Sequence, residues 1–196
     1  CDMINKRGEE TRKLIKKCAY DLFASKGFKQ VTMKDICEAA SLSRGGLYCH
    51  YESTQEIFKE IINDFMNRQE DTFSEKIGQN IPAKEILNEV LEKYKAEMLD
   101  GQASLSLAIY EYFSIADVSE TENELNTQYL ASFNAWKNLL DYGIQTGEFN
   151  LVDIRPVFDL IIFSYQGVRM YSKLMPINEE IPQGIIEQIR KIIVKE

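Results

Sequence analysis

Apolar positions recur at helical spacing almost from end to end of the chain, and strand-like alternation is absent. Leu14, Ile15, Cys18, Ala19, Leu22 and Phe23 stripe a first helix. Met33, Ile36, Cys37 and Ala40 fall at i, i+3, i+4 and i+7 and predict a second, short one that ends by Ala40. Thr32 stands ahead of it as an N-cap, with Asp35 as the acidic partner of a capping box. Ser41-Leu42-Ser43 then reads as a turn in which Leu42 points inward and Ser43 caps the next helix, Arg44 to Tyr51. A fourth helix follows, announced by Ser53 and Glu56 ahead of Ile57, Phe58, Ile61, Ile62, Phe65 and Met66.

From residue 52 onward everything reads as helix, with breaks at Gly78 to Pro82, Asp100 to Ala103, Ala116 to Ser119, Gly147 to Asp153 and Pro176 to Pro182. Asn80 with Pro82 starts one helix, Ser119 with Glu122 caps another, and Gly147 ends that long helix. The inward stripes are rich in aromatics and methionine: Tyr94 and Met98, then Tyr110 and Phe113, then Tyr129, Phe133, Trp136 and Leu140. Such stripes serve as core as readily as they line a site. Residues 154 to 174 are apolar over more than one face, which implies burial on several sides. The last helix repeats Ile185, Ile186, Ile189, Ile192 and Ile193. The fold class is all-α. The expected division is a domain over 1–51 and a second over 52–196, with a connector helix at about 53–77.

Two helices around a short turn are the means by which helix-turn-helix proteins offer a second helix to the major groove. Arg44 supplies a charged fork, Ser43, Tyr48 and His50 suit phosphate oxygens, and Cys49 and the glycines would face base edges. Gly45 and Gly46 at a helix start cost roughly 1 kcal/mol each against alanine, so close approach to another backbone is the expected gain. Helical hairpins are also common in all-α proteins, where Tyr48 or Tyr51 would be core.

The run from Glu9 to Phe65 resembles the DNA-binding domain of the tetracycline-repressor (TetR) family. There a first helix ends LFASKGF, T-[VM]-x-D-I opens the second, and S-[KR]-G-x-L-Y-x-[HY]-[FY] forms the recognition helix. The corresponding stretches are Leu22-Phe23-Ala24-Ser25-Lys26-Gly27-Phe28, Thr32-Met33-Lys34-Asp35-Ile36, and Ser43-Arg44-Gly45-Gly46-Leu47-Tyr48-Cys49-His50-Tyr51. The chain departs from the family at Cys37 and at Ala40-Ser41, where the turn lacks its usual glycine, and in Glu52 to Glu56, which lacks a phosphate-binding lysine.

The resemblance implies an N-terminal three-helix helix-turn-helix domain and a larger C-terminal helical domain for ligand binding and dimerisation. DNA contacts are expected from Thr32, Lys34, Ser43, Arg44, Gly45, Gly46, Tyr48, Cys49 and His50. An apolar or amphipathic effector is expected among Tyr94, Met98, Tyr110, Phe113, Tyr129, Phe133 and Trp136, with Glu97, Glu111 and Gln128 as candidate polar anchors. The last two helices would pair with their two-fold mates in a homodimer through Phe158, Ile162, Tyr165, Arg169, Ile186, Ile189 and Ile193. That dimer would hold two recognition helices about 34 Å apart, or a multiple of it. The implied function is a ligand-responsive transcriptional regulator, most often a repressor, released from its operator when the effector shifts the fourth helix.

A net charge of −8 argues against nucleic acid if read as an average. Residues 1–51, however, hold ten Lys and Arg against six Asp and Glu, a net +4, and the remainder carries −12. Lys6, Arg7, Arg12, Lys13, Lys16 and Lys17 place a positive field along the first helix, where it would draw in phosphate and make binding salt-sensitive; the bland alternative is a solvated helix face.

Cys1, Cys18, Cys37 and Cys49 form no C-x-x-C pair and His50 is the single histidine, which argues against zinc or a disulfide framework; no cofactor is expected. Cys18 and Cys37 read as small core residues, whereas Cys49 beside His50 is a candidate redox-sensitive thiol. No Gly-rich phosphate loop or nucleophile elbow supports an enzyme. A helical ligand-binding or protein-interaction module with a degenerate DNA-binding domain is the alternative reading, motivated by Ser41 and the missing lysine. No signal peptide and no apolar run of about 18 residues is present, so a cytoplasmic protein with no membrane partner is expected. Because position 1 is Cys rather than Met, the chain is expected not to begin at the natural N-terminus.

Overall fold

A computed structural model describes residues 2–67, 72–101, 104–115 and 124–196. Within them run α1 (Asp2–Lys26), α2 (Met33–Ala39), α3 (Arg44–Tyr48), α4 (Thr54–Asn67), α5 (Thr72–Gly78), α6 (Ala83–Leu99), α7 (Ser106–Ile115), α8 (Glu124–Gln145), α9 (Ile154–Tyr171) and α10 (Glu180–Ile193). Among the described residues there is no β-strand, and the one isolated bridge joins Phe149 to Val194. The chain is all-α, as its periodicity predicts.

Two compact units divide it, and the boundary does not fall after residue 51. The first comprises residues 1–68 and 102–117, so that α4 and α7 pack with α1, α2 and α3; the second comprises 69–101 and 118–196. The fourth helix belongs to the first unit because Ile57, Phe58, Ile61 and Ile62 are buried in the same core as Ile15, Ala19, Phe23, Ile36 and Leu47. Phe23, Phe28, Phe58 and Tyr112 form a chain of ring contacts with centroids 4.8 to 5.7 Å apart, which brings α7 into that core. Of the expected stripe on α1, Leu14 instead faces solvent and Cys18 is half-buried.

Glu111 of α7 has a local reason to be there. α1 ends in Gly27 at φ +80, where a Cβ would come within 2.7 Å of the Glu111 Oε2, and that oxygen accepts the Lys29 amide at 2.9 Å. A carboxylate thus satisfies an amide just beyond the helix end, and only glycine leaves it room.

In the second unit α5, α6, α8, α9 and α10 enclose Phe73, Ile86, Leu87, Leu91, Met98, Trp136, Leu139, Leu140, Phe158, Ile161, Ile186, Ile189 and Ile193. α6 begins at Pro82 with no side-chain cap of its own. Glu148, from the loop before α9, supplies it by accepting the Ala83 and Lys84 amides at 3.0 Å each. The same loop ties down the end of α10, since the Asn150 amide donates to the Ile193 carbonyl at 2.8 Å and the Lys195 amide to the Glu148 carbonyl at 3.0 Å. The expected cap at Ser119 and Glu122 lies outside the described residues, as does the junction at 68–71 within the expected connector.

The missing glycine of the turn has a visible consequence. Ser41 sits at φ 54, in the left-handed region that a side chain disfavours by roughly 1–2 kcal/mol. Ser41→Gly relieves that strain but adds freedom to the unfolded chain, so we expect a net gain of about 0.5–1 kcal/mol in urea unfolding. An unchanged or lower midpoint would show that Ser41 is not strained.

Candidate nucleic-acid interface and helical core

Caps build the helix pair from both sides. The Asp35 amide donates to Thr32 Oγ1 at 3.2 Å while the Thr32 amide donates to Asp35 Oδ2 at 2.8 Å, the reciprocal box the sequence predicts. Bonds from the Thr32 hydroxyl and amide lower the Asp35 pKa, with Lys26 helping. Ser43 caps α3 by accepting the Gly46 amide at 3.1 Å. Leu42 and Leu47 turn into the core, Leu47 completely. α3 is helical only over 44–48, shorter than the Arg44 to Tyr51 span expected, and the chain then drops into the core through Tyr51.

What remains outside is a narrow face. Arg44 is exposed and forms no ion pair with any described residue. Tyr48 is 48% exposed, and Cys49 is exposed beside it. A Cβ at Gly45 would meet nothing within 4 Å, so no protein neighbour accounts for the absent side chain. Lys34 is exposed on α2, 3.8 Å from Glu38. Thr32 and Ser43 are exposed but already engaged as caps, and His50 is half-buried. Of the residues expected to contact DNA, Arg44, Gly45, Tyr48 and Cys49 are the most open members on and beside α3.

Two members of the basic stretch on α1 are not free to meet phosphate. Arg12 Nη2 donates to Glu60 Oε2 at 2.7 Å, Lys16 Nζ lies 2.9 Å from Glu60 Oε1, and Lys16 also pairs with Asp64. Burial would raise the Glu60 pKa, but the bonds from Arg12 and Lys16 outweigh it and hold the value at about 2. These pairs fasten α1 to α4, a role that periodicity and charge counting could not reveal.

The expected effector residues separate into two groups. Tyr110 and Phe113 lie on α7 in the first unit, where Tyr110 is 63% exposed and Phe113 packs on the core beside Tyr112. Glu111 is engaged with the Lys29 amide. Tyr94, Met98, Tyr129, Phe133 and Trp136 all belong to the second unit. Tyr94 stacks on Tyr165 at 4.2 Å, with Trp136 6.2 Å away on the other side. Tyr165 donates to the Glu97 carboxylate and accepts from Arg169 Nη1 at 2.8 Å, while the Arg169 Nε is buried without a hydrogen-bond partner among the described residues. Burial pushes the Tyr165 hydroxyl pKa up, opposed by Arg169 and reinforced by Glu97. Tyr129 and Phe133 instead lie under the Arg155 guanidinium, 5.0 and 4.4 Å from their centroids.

Tyr165 and Arg169 were expected at a dimer face, and so were Phe158, Ile186, Ile189 and Ile193. In the structure Phe158, Tyr165 and those three isoleucines are buried inside the protomer, and Ile162 is half-buried. The most apolar stripe of each helix goes to its own core and leaves the neighbouring face outside. On α9 and α10 that face is a groove of about 390 Å³ lined by Leu160, Ser164, Ile181, Gly184, Ile185, Gln188 and Ile189. Leu160, Phe163, Ile181 and Ile192 are exposed around it. No helix of the described residues is long and apolar enough to cross a membrane.

A capped, half-exposed short helix beside a tight turn is the geometry of a helix-turn-helix. Known proteins agree. The family of bacterial regulatory proteins named tetR matches residues 15–61. The HTH-type transcriptional regulator YfiR of Bacillus subtilis, itself uncharacterized, is 32% identical over 146 residues, covering 70% of this chain and 67% of that protein. The HTH-type transcriptional repressor KstR2 of Rhodococcus jostii is 28% identical over 162 residues, 80% of this chain and 76% of that one. Among solved structures, a TetR transcriptional regulator from Chloroflexus aurantiacus superposes with a TM-score of 0.77 over 97% of this chain and all of that one, at 18% identity. The chain belongs to the TetR family and is a DNA-binding transcriptional regulator.

The depressed Glu60 pKa generates a pH dependence of known sign. A carboxyl at about 2 in the folded protein and near 4.5 when unfolded contributes stability that is complete above the unfolded value and disappears as pH falls toward 2. Glu60→Gln is expected to flatten the fall in melting temperature between those limits, as followed by circular dichroism. An identical acid profile would remove Glu60 from the list of groups driving it.

Proposed function

We propose that this regulator is a repressor whose operator contacts come from Thr32, Lys34, Ser43, Arg44, Gly45, Gly46, Tyr48, Cys49 and His50. The observation that carries the reading is the outward placement of Arg44 and Tyr48 on a helix whose Leu47 is fully buried. A guanidinium in the first turn without an ion-pair partner among the described residues suits paired acceptors on a base edge or a phosphate, and the Tyr48 hydroxyl suits a backbone oxygen. The open position at Gly45 supports close approach of the duplex, because the helix bears the propensity cost without any gain in internal packing. Two copies joined along α9 and α10, through the groove at Leu160, Ser164, Ile181, Gly184 and Gln188, would present two such helices to one face of DNA.

The effector binds in the second unit, against Tyr94, Met98 and Trp136, with Tyr165, Glu97 and Arg169 as the polar end. The Arg169 Nε, without a partner among the described residues, favours an amphipathic molecule carrying a hydrogen-bond acceptor beside an apolar or aromatic body. Bound molecules of this kind favour the form that does not fit the operator.

Two measurements test these assignments. On a duplex selected from random sequence by the wild-type protein, Arg44→Ala is expected to lose 10-fold or more in affinity, the roughly 1–3 kcal/mol of a good base contact, with an unchanged melting temperature. Undiminished affinity would show that α3 does not read DNA. Trp136 is the single tryptophan, 2% exposed and flanked by Phe73 and Tyr94, so a molecule that enters this cluster must change its emission. Amphipathic compounds that release the duplex are expected to shift that emission in a saturable way; release without any change would place the effector elsewhere.

A further inference from the structure

α3 spans Arg44–Tyr48, far below the length at which an isolated helix persists in water, so its direction depends on how its ends are held. Ser43 and Leu42 hold the beginning. The end is held where the chain leaves the helix at Cys49 and enters the core at Tyr51, which is 1% exposed. Arg12 of α1 closes this exit. Its guanidinium lies over the Tyr51 ring, 4.4 Å from the centroid, and its Nη1 donates to the His50 carbonyl at 3.4 Å. Its Nη2 donates to Glu60 of α4 at 2.7 Å, and Lys16 holds the other Glu60 oxygen at 2.9 Å.

Three segments therefore meet on one planar cation: α1, the exit of α3, and α4. A guanidinium can present its face to a ring while its edge serves a carbonyl and a carboxylate, a combination that the compact ammonium of lysine does not match. Among the described residues the buried Tyr51 hydroxyl has no hydrogen bond of good geometry, although Glu60 and Arg12 lie near enough to act on it, and the ring supplies the face on which Arg12 lies. Arg12 is one of the basic residues that charge counting assigns to phosphate, yet its charge is already matched within the protein.

We propose that Arg12, with Glu60 as its counter-ion, is a positioning residue that sets the angle at which the recognition helix leaves the core, and that it makes no phosphate contact itself. This rests on the reading of α3 as the DNA-reading helix. The pair also joins that angle to α4, so a displacement of α4 is felt at the recognition helix without any change in the residues that face DNA.

The test measures dissociation constants against salt concentration, on the duplex selected by the wild-type protein, for wild type, Arg12→Ala, Arg12→Lys, Glu60→Gln and Arg44→Ala, at a temperature where circular dichroism shows each folded. Arg12→Ala is expected to weaken binding about 10-fold while the slope of log affinity against log salt stays that of wild type, because no counterion-releasing contact is lost. Arg12→Lys recovers only part of the loss. Glu60→Gln weakens binding as well, although removing a negative charge near DNA would by electrostatics alone strengthen it.

A slope reduced by about 0.9 in Arg12→Ala would identify a phosphate contact and overturn the proposal. Glu60→Gln binding as tightly as wild type or tighter would overturn it too, and decides the matter if Arg12→Ala does not fold. Should Arg44→Ala bind like wild type, the reading of α3 itself fails; loss in Arg44→Ala with none in the Arg12 and Glu60 variants defeats only the positioning role.

Discussion

A helix as short as α3 cannot stabilise itself, and its place in this protein depends on burying Leu47 and Tyr51 in a core made by α1, α2, α4 and α7. Complete burial of a large apolar side chain contributes roughly 1.5–3 kcal/mol, enough for two such residues to offset the poor propensity of adjacent glycines. The geometry follows from that anchoring. With Leu47 directed inward, Arg44 and Tyr48 are left on the outer side, and the tip is exposed because the opposite face is spoken for.

The turn and α3 carry several departures from local preference. Ser41 occupies a left-handed conformation, Gly45 lacks a side chain that the structure has room for, and α3 is barely more than a turn. The caps around them follow local preference closely, as the reciprocal bonds of Thr32 and Asp35 and the cap at Ser43 show. The left-handed conformation recurs at Asn80 ahead of α6, and Gly167 and Gly184 within α9 and α10 likewise have room for a side chain, so such departures are not confined to the tip.

Charge reads differently in three dimensions than along the chain. The positive excess over residues 1–51 is real, but Arg12 and Lys16 answer Glu60 and Asp64 on α4, so part of it fastens helices together. The same holds for acidic residues: Glu111 serves the end of α1 and Glu148 the start of α6, each from a distant element. Carboxylates of this kind are fixed by long-range partners, and a sequence window contains no sign of which amide they will meet.

Helix periods, both caps of the helix-turn-helix, the inward turn of Leu42 and the outward tip at Arg44 and Tyr48 were all legible in the sequence, because each depends on residues within a turn or two of one another. The assignment of α4 and α7 to the first unit was not, since the partners of Phe58 and Tyr112 are set by chain reversal rather than by spacing. Nor were Tyr165 and Arg169 separable from an interface, because α9 is apolar on several faces and only packing decides which face meets Glu97 and Tyr94 and which is left for a neighbour. Local hydrogen bonding and hydrophobic period therefore determined what the elements are and what the exposed tip presents. Tertiary packing alone decided which apolar stripe lies inside the protomer and which cations are already answered, because burial and ion pairing are properties of residues far apart in the chain.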